Sequence, residues 1–568
     1  MASINIAYIG KFWMYWFILC IYLEITGFFM VKISVSNNKG FEWVHNDTIY
    51  FKGYFYDFKG NLLQGTDALE YFSQINSVQD FEKNVRNING SFVIIMKLAN
   101  TVLAAVDRIR SIPIFMYKAH SVVHISDDIY QLCSSHNSIS FDNLGMEQMR
   151  LSGYTLGNRT GIDSIKQLCA GEYCIIELGD AIIRKYYVHL HGNYVDMNEQ
   201  EIKEHLNTIS DNVFLRLVKS VNGRQIVVPL SGGYDSRYIV CWLKKIGYEN
   251  VLCFTYGNKN NVEAQVSKKV AETLGYEWHC VDYSYDTWKD IFTPKWEDFF
   301  KYAGQLSQVP HHQDIYAVKY LVDNGIIEKN AVVVPGYCGD GLGGSFLYKE
   351  DQVQSCTFED LLNKILERQF SYSYNWKSDL KKSIIDSLYS SRMDSLDDYN
   401  NIHEEWATIN KWSKFVVNAV RGYEYQGLTW RLPFWDNELV EFWYKIPNEI
   451  RQRKLYDEFL LEGIFEQYGV SMRKPQERGS IANAIVKTCK KTLMSVLGYR
   501  VLKLLRKKVY DLKNEDAFYF MCIPELLEKD NLINAQDYNG EKTNSLVALY
   551  YLLRVEKIYN TELFNYLD

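Results

Sequence analysis

The sequence predicts an α/β protein in two parts, a β-rich N-terminal half of α+β character and a C-terminal half built on a parallel sheet. From residue 225 onward, short apolar runs rich in β-branched residues (QIVVPL, then VLCFTYG, then a run beginning near Tyr276) alternate with helical patterns. That order is the one a parallel sheet with crossover helices imposes. Between residues 31 and about 187, strands alternate with turns instead, as in TIYFKGYFYDFKGN and GSFVIIMKLANTVLAAVDR, a hairpin pattern. A chain of 568 residues also exceeds what one hydrophobic core fills, so two or three domains are expected.

The expected divisions are a hydrophobic segment at 1–30, the β-rich domain at 31–190, a linker at 191–205, the parallel-sheet domain at 206–480 and a helical extension at 481–568. Residues 12–31 are almost wholly apolar, interrupted by Glu24, Thr26 and Gly27 and flanked by Lys11 and Lys32. A membrane anchor, a reading frame extended upstream of a natural start at Met30, and a buried helix all fit this stretch. The stretch 189–204 reads as an exposed boundary, and without a third ligand nearby His189 and His191 make no metal site. A helix is expected from about 201 to 221, and residues 487–510 read as a basic amphipathic helix.

The formal net charge of -7 gives no sign of a nucleic-acid partner. Eleven cysteines without a CxxC pair argue for reduced thiols in the cytoplasm and against a disulfide framework. Cys20 and Cys133 read as structural thiols.

The most informative stretch is residues 225–237, QIVVPLSGGYDSR. A buried strand stops at Ser231, Gly232 and Gly233, and a helix follows. Two glycines let backbone approach a phosphate, while Ser231, Ser236 and the free N–H groups of a helix start donate to its oxygens. Asp235 would repel phosphates unless a divalent cation lies between them, and a hard ion such as Mg²⁺ suits a carboxylate and phosphate oxygens together. No GxxxxGK[ST] run occurs. A literal GxGxxG at Gly339, Gly341 and Gly344 lies deep in a loop after a strand ending at Pro335, so it is not read as a dinucleotide turn.

SGGYDS resembles the pyrophosphate-binding SGGxDS loop of the N-type ATP pyrophosphatases, and two further segments resemble the asparagine synthetase family. In residues 331–346, AVVVPGYCGDGLGGSF, Gly336 falls where that family's glycine approaches the nucleotide and Asp340 where its second magnesium ligand stands. The family's catalytic glutamate is Tyr337 here, as in β-lactam synthetase, a relative without a working glutaminase. A phenol could act as a base only if a neighbour lowered its pKa. The resemblance also implies ATP or pyrophosphate binding at Leu230, a strand-end residue lining the adenine pocket through its backbone at Tyr256, which could instead simply cap the core, and an acidic position at Glu263. Residues 428–447 resemble the family's Glu-x-Arg-x-Pro-Phe-Leu-Asp segment, with Thr429 and Trp435 as departures. There Arg431 and Asp436 could support the substrate or form a buried ion pair. Arg421 matches a family arginine, and Lys454 the lysine that neutralises charge developing on phosphate and acyl oxygens.

The first half resembles the glutaminase domain of class II amidotransferases, an NTN-hydrolase-like fold, at Asn89-Gly90-Ser91-Phe92, at Asp107-Arg108 with Pro113, and at Gly153-Tyr154, Thr160, Ile162 and Gly171-Glu172-Tyr173. That family's nucleophile is an N-terminal cysteine, whereas position 2 is Ala2 and a start at Met30 would expose Val31, so no glutamine hydrolysis is expected. The resemblance therefore implies an adenine nucleotide alpha-hydrolase-like synthase domain that uses ATP and Mg²⁺ to join a small carboxylate, aspartate by family default, to ammonia or an amine. A catalytically idle nucleotide-binding scaffold and a β-lactam-synthetase-like enzyme are the alternatives. A homodimer is one expectation for the assembled state.

Overall fold

The computed structural model describes residues 30–119, 122–136, 140–259, 262–371, 376–472, 522–529 and 543–559. Residues 12–29 of the expected hydrophobic segment, residues 487–510 and Cys20 lie outside them, while Met30 and Val31 open the strand Met30–Ser34. Among the described residues no helix is long and apolar enough to cross a membrane, and Cys133 is a buried free thiol.

The hairpin pattern of the first part folds into two sheets. The larger has seven strands and centres on Ile49–Tyr56, Asn89–Leu98 and Thr101–Val106, paired antiparallel in that order. Period-2 alternation sorts their side chains. Phe51, Phe55, Phe92 and Ile94 pack with Phe72 and Phe81 of the helices Gly65–Ser73 and Val78–Asn87. Tyr54, Val93, Ile95 and Ala104 join a core shared with Phe115, Met116, Val123 and Ile125 of the second sheet. That second sheet runs Met30–Ser34, Val122–Ser126, Phe115–Ala119, Ile165–Gln167, with Met30–Ser34 parallel to its neighbour.

The boundary stretch is exposed along most of its length, as expected, but its two histidines are buried. His189 is buried, its Nε2 2.6 Å from the Arg108 carbonyl and its Nδ1 3.1 Å from the Tyr444 hydroxyl. His191 is buried against Glu404 at 3.0 Å. Both rings have protein partners, and among the described residues no cluster of three or more metal-ligating side chains occurs. The helix Glu199–Val221 starts inside the expected linker, where Asn198 and Glu201 form a reciprocal capping box.

In the second part five parallel strands lie in the order Glu277–Asp282, Val251–Gly257, Ile226–Pro229, Val332–Val333, Thr429–Trp430. The chain steps outward from Ile226–Pro229 to one edge, then returns to lay Val332–Val333 on its other side. The strand order therefore reverses between Ile226–Pro229 and Val332–Val333, and the crevice beyond their carboxyl ends is where such sheets take ligands. Both informative loops, at 230–233 and 334–338, leave the sheet there.

Candidate active site

The glycine loop turns directly into the helix Tyr234–Lys245, whose N-cap is Gly233, and no side chain caps that end. Its first N–H groups are therefore open to a ligand. Ser231 and Ser236 brace the turn: the Ser231 N–H donates to Ser236 Oγ at 3.1 Å, and the Gly233 N–H to Ser231 Oγ at 3.1 Å. Opposite, Gly336 presses on the same helix start. A Cβ there would lie 2.8 Å from the Ser236 nitrogen and 3.0 Å from the Asp235 carbonyl carbon, so only glycine lets the second loop close on the first.

Between the loops is a cavity of about 430 Å³. Leu230, Ser231, Gly233, Asp235 and Ser236 line one wall, Gly336, Tyr337 and Asp340 another, and Tyr256 and Glu263 a third. Gly232 lies behind the turn, where a Cβ would stand 3.3 Å from the Glu263 Cα. Asp235 and Asp340 meet on one side: the Asp340 N–H donates to Asp235 Oδ2 at 3.1 Å, and the Tyr456 hydroxyl donates to Asp235 Oδ1 at 2.8 Å. Burial, and after it the Asp340 carboxylate, push the Asp235 carboxyl up to about 7. Asp235, Glu263, Asp314 and Asp340 face this cavity with Arg453 as the one lysine or arginine among its lining residues. Such a wall repels a bare polyphosphate and fits one that arrives with a divalent cation. Two carboxylates that leave the remaining positions to water and phosphate oxygens are the donor set Mg²⁺ takes.

Three sequence expectations change. Lys454 does not reach the cavity: its side chain is 77% exposed and its Nζ pairs with Glu458 at 3.4 Å. It lies in the helix Arg453–Phe459, where a step of one residue turns the side chain by about 100°. Arg453 takes the inner place, donating to Asp340 Oδ2 at 2.9 Å and to Asp457 Oδ1 at 2.7 Å. Tyr337 is not set up as a base, because burial, and after it Asp314, hold its phenol well above its ordinary pKa. Its hydroxyl instead meets that of Tyr423 at 2.8 Å. Arg431 and Asp436 lie outside the cavity and do not pair with each other. Asp436 binds Arg216 at 2.8 Å and accepts from Asn89 Nδ2 at 2.9 Å, while Arg431 donates to Ser220 Oγ at 2.9 Å. Arg421 is likewise buried away from the cavity, paired with Glu424. Asp436 through Asn89, Arg421 through the Ser111 carbonyl and Arg431 over the Tyr54 ring fasten the two parts of the chain together.

Sequence reasoning missed Arg453, Tyr456, Asp314, Tyr423 and His311. The helical phase of RKLYDEF, with Leu455, Tyr456 and Phe459 buried, would have pointed Arg453 inward. The polar run HHQD before an apolar helix was the visible sign of the other wall.

Residues 210–470 match the family model for asparagine synthase. The chain carries an asparagine synthase-family domain. All the cavity-lining residues fall within this asparagine synthase domain. A 7-cyano-7-deazaguanine synthase from Staphylococcus saprophyticus subsp. saprophyticus is 32% identical over 68 residues, which are 12% of this chain and 30% of that relative. The chain thus spans under a third of the length of that curated relative. A solved NH3-dependent NAD synthetase from Campylobacter jejuni subsp. jejuni, in complex with the nitrate ion, aligns over 34% of this chain and 83% of its own at 16% identity. Its TM-score is 0.17, too low for a structural argument.

Proposed function

We propose that the protein is an ATP-dependent amide-forming ligase of the asparagine synthetase type, without glutaminase activity of its own. The observation that carries this is the convergence of the Ser231–Gly233 turn with Asp235 and Asp340 on one cavity at the switch point of the parallel sheet. ATP lies across the strand ends, its adenine toward Leu230 and Tyr256 and its β- and γ-phosphates in the turn. Asp235 and Asp340 would hold Mg²⁺, which supplies charge neutralisation at the phosphates when bound. A substrate carboxylate, aspartate by family default, attacks the α-phosphorus, and the bond to the β-phosphate breaks. Pyrophosphate leaves into the turn, where the helix N–H groups, Ser231 and Ser236 receive it, while Arg453 offsets charge beside Asp340. Ammonia or an amine then attacks the acyl carbon and AMP leaves.

Asn89 donates to Asp436 and Arg421 donates to the Ser111 carbonyl, which supports a packing role for the first domain; a nitrogen source other than its own glutamine hydrolysis is part of the same proposal. Exchange of labelled pyrophosphate into ATP, screened over aspartate and other amino and hydroxy acids, tests the proposal. Exchange with at least one acid, abolished in Asp235→Asn, is the expected result. Nucleotide binding without exchange for any acid would replace it with the idle-scaffold reading.

A further inference from the structure

We infer that the end of the cavity away from the glycine turn is a binding subsite for an alkylammonium group, with Asp314 as counter-ion and the rings of Tyr256, Tyr337 and Tyr423 as walls. The subsite rests on the synthetase reading only for its place in a reaction. Its chemistry stands on the residues themselves.

Asp314 is 2% exposed and lines the cavity; the Tyr423 hydroxyl donates to its carboxylate, yet its Oδ1 accepts no hydrogen bond. It occupies the N-cap position of the helix Ile315–Asp323, but its side chain makes no capping bond, the usual use of an aspartate there. His311 Nδ1 stands 3.4 Å away without a hydrogen bond forming. Arg453, the one arginine or lysine among the cavity-lining residues, is engaged with Asp340 and Asp457. A buried carboxylate oxygen that accepts no hydrogen bond is costly, and a ligand cation lowers that cost.

The surroundings select which cation. Burial, and after it Asp314, hold the phenols of Tyr337 and Tyr423 in the neutral form, and the same two causes act on Tyr256. Their ring faces suit a weakly hydrated organic cation. A hard metal ion would want several oxygen ligands, and one carboxylate does not supply them. A second cavity of about 90 Å³ shares His311 and Gln313 with the first and is walled by Val309, Pro310, Phe415 and Val547. An apolar stem on the ammonium group can extend into it. The same ammonium could belong to the acyl acceptor or to an amino acid undergoing activation.

The full-length protein is titrated with n-butylammonium, n-butanol and butyrate by ligand-observed NMR, and with magnesium ATP by calorimetry. Butylammonium is expected to bind and the two isosteres not. Asp314→Asn should weaken butylammonium at least tenfold and magnesium ATP by less than threefold. His311→Lys, which tethers an ammonium beside Asp314, should block butylammonium while changing magnesium ATP affinity less than threefold, and it serves if the asparagine variant does not fold. Equal binding of butanol, undiminished butylammonium binding in both variants, or an equal loss of ATP in Asp314→Asn would overturn the inference. With an acid that supports exchange, butylamine yields an N-butyl amide if the subsite holds the acceptor. It raises the KM of the acid if the subsite holds that acid's own ammonium. Butylammonium binding by a protein without exchange activity would sink the synthetase reading alone.

Discussion

Replacing Asp235 with asparagine should make the ligand-free protein more stable while removing its hold on a magnesium nucleotide. Burial and Asp340 raise this carboxyl from an ordinary 3.8 to about 7, so an ionised Asp235 opposes folding. At about 1.4 kcal/mol per pH unit the shift is worth at most about 4 kcal/mol. The amide gives part of that back, because its NH₂ or its oxygen must face both the Asp340 N–H and the Tyr456 hydroxyl, and one mismatched donor costs about 1–3 kcal/mol. A net gain of about 1–3 kcal/mol is expected above pH 7. The sign follows from the raised pKa. Between about pH 4 and pH 7 the folded protein binds a proton that the unfolded chain has released, so stability falls as pH rises through this window and levels off above it. The variant lacks this decline, and its advantage should therefore grow by about 2–3 kcal/mol between pH 5 and pH 8. Thermal and urea unfolding in EDTA at the two pH values measure it. A variant less stable than the parent at both, or an advantage that does not change with pH, would refute the reasoning.

Other outcomes follow from the same geometry. Arg453→Ala should weaken magnesium ATP by about tenfold or more, since it removes a charge-assisted bond to Asp340, whereas Lys454→Ala should leave calorimetric affinity unchanged and shift stability by under about 0.5 kcal/mol. Gly336→Ala should abolish nucleotide binding, with a stability loss of about 1–3 kcal/mol from the new contact with the Ser236 nitrogen. Asp436→Asn should cost about 3 kcal/mol in urea unfolding by breaking the pair with Arg216, yet leave the affinity of the cavity for ATP intact. Affinity for magnesium ATP should fall up to tenfold per pH unit below pH 7, with about one proton released on binding, because the cation requires Asp235 ionised.

What the sequence made legible was local. A β-branched strand, two glycines and a carboxylate at a helix start sit within one thirteen-residue stretch, and their physics needs no distant partner. The helix Val262–Leu274 was equally plain from its period. Lys454 and Arg453 differ by one residue, and only the phase of a helix whose apolar face meets Trp443 through Tyr456 and Trp242 through Phe459 decides which points inward. His189 and His191 looked exposed in a polar stretch because Arg108, Tyr444 and Glu404, which bury them, lie far off in the chain. Asp314 and Tyr423 are more than a hundred residues apart and meet across a cavity wall, an arrangement with no local signature.

The central claim is that a nucleotide's phosphates are held through a cation shared by Asp235 and Asp340. Calorimetric titration of the parent protein with ATP, once with magnesium and once with EDTA, tests it most directly. The account predicts a single site that binds ATP with magnesium and is lost or at least about a hundredfold weaker without it. Equal affinity under the two conditions would contradict it.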